Sequence, residues 1–114
     1  MPHVRIYHNP RCSKSRQALA LLHEHGIEPE IIEYLKTPLT VTELTELLNL
    51  LKLDVNALLR NKEALYKELN LAKATSQQLL EAMATHPSLI ERPIVVNGQQ
   101  ARLGRPPEAI LEIL

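Results

Sequence analysis

The chain has no tryptophan and no phenylalanine, a single cysteine and only three glycines in 114 residues. Each scarcity excludes something. Tyr7, Tyr34 and Tyr66 are the only aromatic rings, so the core must come from leucine, isoleucine, valine and alanine. One cysteine excludes an internal disulfide and the Cys-x-x-Cys of a dithiol oxidoreductase. Redox chemistry at Cys12 would need its second sulfur from another molecule. Glycines at 26, 98 and 104 are too few for a dinucleotide fingerprint or a P-loop. No apolar run approaches the roughly 18 residues of a membrane helix, and Met1-Pro2-His3-Val4-Arg5 leads into no apolar signal region. With a free thiol, this suggests a cytoplasmic protein. Lys and Arg total 13 and so do Asp and Glu, giving no charge excess for nucleic acid or an anionic membrane. His23 and His25, two apart on a helix, share no face, and no metal site is expected. The length fits one domain, 1–114, able to bury about two-thirds of its unfolded surface.

Against this neutral background, residues 7–16 stand out. Val4-Arg5-Ile6-Tyr7 reads as a strand, and Pro10 breaks regular structure just ahead of Cys12. Ser15, Ala18, Leu19 and Leu22 then share one face of a helix that ends at Gly26. Cys12 is thus expected where a strand-to-helix loop meets a helix N-terminus. Backbone N–H groups there lack intrahelical partners, and the helix dipole favours an anion. His8, Arg11, Lys14 and Arg16 add formal or potential positive charge. In such settings a thiol pKa falls from about 8.5 to roughly 3.5–7.5.

Residues 30–34 read as a second strand, parallel to the first across a βαβ unit. A run of helices follows. Thr40 with Glu43 and Thr75 with Gln78 are capping boxes. Asp54 caps a short helix running to Arg60, and 62–71 is helical by composition with Glu63 and Lys67 as an i,i+4 pair. Pro93 to Val96 is a third strand, Asn97-Gly98 a hairpin turn, and 99–103 a fourth strand. A final helix over 108–114 is expected to turn Ile110, Leu111 and Leu114 inward. The order describes an α/β, thioredoxin-like or glutaredoxin-like fold. It has a mixed four-stranded sheet and a helical insertion, about 38–87, between strands 2 and 3.

Four blocks carry a resemblance: His8-Asn9-Pro10-Arg11-Cys12 with Ser15-Arg16, residues 57–60, residues 90–96 and Leu103-Gly104-Arg105-Pro106. In order, and across essentially the whole chain, they resemble the ArsC-like arsenate reductases that use glutathione and glutaredoxin. The resemblance implies a thioredoxin-like fold with a helical insertion, Cys12 as nucleophile and His8 as its activator. It implies that Arg60, Arg92 and Arg105 hold the oxyanion, and that Pro93 follows a cis Arg92–Pro93 peptide. Ser15 and Arg16 belong to the motif as supporting residues. The substrate would be arsenate or a similar oxyanion, with no bound cofactor, glutathione as co-substrate and glutaredoxin as partner. Lys14 departs from the small uncharged residue at that place in the family.

The residue types suit that chemistry. An oxyanion carrying about two negative charges repels a thiolate, and guanidinium groups offset the repulsion with bidentate forks. Two other readings remain on sequence grounds. One is a thiol-redox or glutathione-handling protein without arsenate activity. The other is an RNA-polymerase-binding transcriptional regulator related to this family.

Overall fold

The computed structural model describes residues 4–114. The chain divides into two compact units, Met1–Thr37 with Arg92–Leu114, and Pro38–Glu91.

The first unit holds the sheet. Strand β1 is Val4–Tyr7, β2 Glu30–Ile32, β3 Ile94–Asn97 and β4 Gln100–Leu103. Their spatial order is β2-β1-β3-β4, with β1 parallel to β2 and antiparallel to β3, and β3 antiparallel to β4. This is the mixed thioredoxin-like sheet expected from the element order. Central β1 and β3 carry the apolar residues Ile6, Ile94, Val95 and Val96, all essentially solvent-free. Helix α1, Ser13–Glu24, crosses between β1 and β2. It buries Ser15, Ala18 and Leu22, the i, i+3, i+7 face of the sequence pattern. Its C-terminus is a Schellman motif: Gly26 N–H donates to His23 O at 3.0 Å, and Ile27 N–H to Leu22 O at 2.9 Å. Ile6, Ala18, Leu22, Val95, Ile110 and Ile113 form the core of this unit, with Ile27 packed against it.

In this unit three details differ from the sequence reading. Strand β2 stops at Ile32 because Glu33 O accepts from the N–H groups of Lys36 and Thr37 and turns the chain. The hairpin loop is Gly98-Gln99, since Asn97 and Gln100 still pair. Gly98, at φ 63°, takes the first loop position, the place a type II′ turn gives to glycine. The last segment, Pro107–Ile113, is a 3₁₀ helix. Its period of three puts Pro107, Ile110 and Ile113 on one buried face. Leu111 and Leu114, expected inward on an α-helical period, are exposed.

The second unit is helical. Helix α2 is Val41–Leu51, α3 Val55–Leu58, α4 Ala64–Glu68 and α5 Ser76–Thr85. Both capping boxes form, Thr40 with Glu43 and Thr75 with Gln78, and Asp54 caps α3 through Asn56 N–H. Leu44, Leu47 and Leu51 of α2 and Leu79 and Met83 of α5 are buried, and the two helices pack together. Helix α3 ends at Leu58, because Leu59 leaves the helix to bridge Ile90. The helix expected over 62–71 is only α4. Asn70 takes a left-handed conformation, φ 54°, that stops it. Glu63 does not serve Lys67; its carboxylate lies 2.8 Å from Arg60 Nη1. Among the described residues, no helix is long and apolar enough to cross a membrane.

Candidate functional site

Cys12 sits where β1 has ended and α1 begins. It is the N-cap of α1, with extended φ, ψ of −95° and 123°, and it is 9% exposed. Three groups of Asn9 hold the loop before it. Asn9 O accepts Cys12 N–H at 3.0 Å, Asn9 Oδ1 accepts Arg11 N–H at 3.0 Å, and Asn9 N–H donates to Ser15 Oγ at 3.0 Å. Arg16 adds a brace, its Nη1 donating to Pro10 O at 2.9 Å. Asn9 has no role in the sequence reading. The signal was there, since an Asn before a Pro invites a side-chain turn to the backbone two residues on.

The thiol pKa is shifted by opposing effects. Burial is the largest and pushes it up. Against it act the Ser15 N–H, a hydrogen bond from the Arg92 side chain together with the Arg92 charge, and the Lys14 N–H. These prevail, and the Cys12 pKa lies below the ordinary thiol value. Cys12 closes no short side-chain cap of the kind an oxygen makes. The large sulfur is stabilised instead by the orphan N–H groups of the first turn at longer range.

His8 is buried, and its Nδ1 lies 2.6 Å from Ser15 Oγ. Burial pushes its pKa down; Glu33 raises it and Arg16 lowers it, and the result lies below the ordinary 6.5. The shift favours the neutral imidazole, whereas the sequence reading counted His8 as a potential cation. His8 Nδ1 pairs with the Ser15 hydroxyl, which also accepts Asn9 N–H. His8 thereby locks the loop.

Arg92 and Pro93 lead into β3, and their peptide is cis, as the resemblance implied. The Arg105–Pro106 peptide is cis as well. Arg105 Nη1 donates to Arg92 O at 3.4 Å. Gly104 N–H donates to Pro93 O at 2.8 Å. A Cβ on Gly104 would come 2.6 Å from Pro93 Cγ and 3.5 Å from the Ala18 methyl, so only glycine fits between the proline and α1. The first unit thus gathers His8, Cys12, Ser15, Arg16, Arg92, Pro93 and Arg105.

Arg60 lies in the second unit. Its Nη1 is 2.8 Å from Glu63 Oε1 and donates to Ser88 O at 3.2 Å, and its Nε is 3.7 Å from Glu91 Oε1. Two carboxylates already share its charge. His23 faces Glu28 at 3.8 Å and His25 bonds Leu21 O at 2.9 Å. Among the described residues, no three His, Cys, Asp or Glu side chains are grouped to hold a metal.

Known proteins are similar to this chain in sequence and fold. A Vibrio cholerae structure described as an arsenate reductase matches with a TM-score of 0.97 and 57% identity, covering 99% of this chain and 98% of that one. The uncharacterized protein YfgD of Escherichia coli K12 is 54% identical, covering 97% of this chain and 96% of its own length. A Haemophilus influenzae protein named arsenate reductase is 51% identical, covering 97% and 98% respectively. The ArsC family model matches residues 7–113, and the chain belongs to the ArsC family.

Proposed function

We propose that the protein reduces arsenate to arsenite, with Cys12 as the attacking thiolate. The observation that carries this reading is the setting of Cys12. A helix N-terminus and the Arg92 guanidinium hold its pKa down in spite of burial. The arsenate reductase names of relatives at about half identity, such as that from Haemophilus influenzae at 51%, support the choice of oxyanion.

The thiolate attacks arsenic, an S–As bond forms, and one oxygen leaves as water. Arg92 and Arg105 offset the oxyanion charge with planar, bidentate donors. Arg60 is proposed as the third such arginine on its motif position alone. Its charge is partly spent on Glu63 and Glu91, so its contribution is expected to be smaller. An external thiol then attacks the adduct. Two electrons pass to arsenic as a disulfide forms, and the net reaction converts arsenate and two thiols into arsenite, one disulfide and water. With one cysteine in the chain, the second thiol must come from outside. We assign that role to glutathione, with glutaredoxin resolving the mixed species and the cytoplasm as the setting.

The test is arsenate turnover by purified protein with glutathione and glutaredoxin, omitting each in turn. Turnover that needs both thiols and vanishes in Cys12→Ser is expected. Arsenate left unreduced by the wild type overturns the reading.

A further inference from the structure

The thiol that completes the cycle must reach Cys12 from solvent, and Cys12 itself is almost covered. The incoming molecule therefore meets the exposed residues next to it in the chain, among them Pro10, Arg11, Ser13, Lys14 and Arg16. Three of these five are cations. No acidic residue occurs between Asn9 and His23, in a chain whose charges balance overall. Arg16 is committed to Pro10 O. Among the described residues, the side chains of Arg11 and Lys14 have no ion pair or hydrogen bond. Lys36, Arg60 and Arg102 each stand beside a carboxylate, whereas Lys52, Lys62, Lys67 and Lys73 have no ion pair among the described residues either; what distinguishes Arg11 and Lys14 is their place beside Cys12. Two exposed cations thus flank the nucleophile, one and two residues away, with no ion-pair partner among the described residues.

We propose that Arg11 and Lys14 are the docking site for the carboxylates of a small anionic thiol, and make the protein prefer acidic over neutral thiol co-substrates. The proposal rests on Cys12 being the nucleophile and goes beyond it by naming what selects the second thiol. Backbone N–H groups, Arg92 and Arg105 serve the oxyanion, which leaves these two side chains for the molecule that follows. Their Cα atoms lie within about 7 Å of that of Cys12 by chain geometry alone. That is inside the Debye length of about 8–10 Å. Between unit charges at such a distance in water, attraction is of the order of thermal energy, worth about threefold in rate per cation.

The test is thiol–disulfide exchange at Cys12, which needs no arsenate. The Cys12 thiolate attacks one sulfur of an added disulfide. A new S–S bond to Cys12 forms, the old one breaks, and the other half leaves as a thiolate. The probes are glutathione disulfide (anionic), bis(2-hydroxyethyl) disulfide (neutral) and cystamine (cationic). The readout is the anionic-to-neutral rate ratio on one and the same variant, so that any change in the thiolate cancels. Arg11→Gln and Lys14→Gln should each lower the ratio about threefold at low salt, an effect that shrinks as salt rises. Lys14→Glu should move the preference towards cystamine. An unchanged ratio in the Arg11→Gln/Lys14→Gln double variant overturns the proposal. A ratio that falls as expected in a protein that reduces no arsenate leaves the docking site standing and removes the oxyanion reading. A Cys12 inert to all three probes removes both.

Discussion

His8 Nδ1 lies 2.6 Å from Ser15 Oγ, and the two buried side chains join the strand end to the first turn of α1. The same hydroxyl accepts Asn9 N–H. Ser15→Ala therefore leaves two polar groups without their partner, at a cost of about 1–3 kcal/mol, read as a lower denaturant midpoint. The Ser15 N–H and Arg92 still face the sulfur in that variant, so the alkylation pKa of Cys12 should move little. If that pKa rises as much as in Arg92→Ala, the pair acts on the thiol directly.

The same histidine sets an acid limit. Its pKa is lowered on folding, so the unfolded chain binds a proton at this site more readily than the folded one. The contribution of neutral His8 is fully present above the ordinary value of about 6.5. It is lost as pH falls from there through the lowered folded value. Thermal midpoints followed through that window should decline with acid in the wild type. The decline should be shallower in His8→Gln, and equal slopes in both would show that another group is responsible.

Gly104→Ala should destabilise by about 1–3 kcal/mol, because the new methyl overlaps the Pro93 ring and a packed core does not yield cheaply. It also presses on the segment that carries Arg92. Calorimetry of the variant would show a lower melting temperature, and an unchanged one would mean that the contact relaxes freely.

The arginines should rank by their surroundings. Arg92→Lys removes the guanidinium fork that helps hold the Cys12 pKa down, and the loss of such a charge-assisted bond costs about 1.5–3 kcal/mol, or about tenfold to a hundredfold in kcat/KM for arsenate. Arg60→Lys, whose charge is shared with Glu63 and Glu91, should lose less. Steady-state kinetics of the two variants decides the order.

Much of this was legible in the sequence where the cause is local. The N-cap position of Cys12, the capping boxes at Thr40 and Thr75 and the parallel β1–β2 pair follow from neighbouring residues. What was not legible depends on the third dimension. Leu111 and Leu114 carry the right period for an α-helix, but Ile110 and Ile113 are drawn inward on a 3₁₀ period instead. Glu63 meets Arg60 rather than Lys67, because Arg60 is held over Ser88 by a bridge across the chain. The charge state of His8 depends on its burial and on Glu33, which no spacing in the sequence ties to it. The fit of Gly104 against Pro93 likewise joins residues that only the sheet brings together.

The most direct test of the account is the pH dependence of Cys12 alkylation by a neutral reagent, in the wild type and in Arg92→Ala. An activated Cys12 has a wild-type midpoint below the ordinary thiol value of about 8.5, and an upward shift once the Arg92 guanidinium is gone. A wild-type midpoint at or above that value, unmoved by Arg92→Ala, would mean that burial prevails over the helix N-terminus and the arginine, and that Cys12 is not an activated nucleophile.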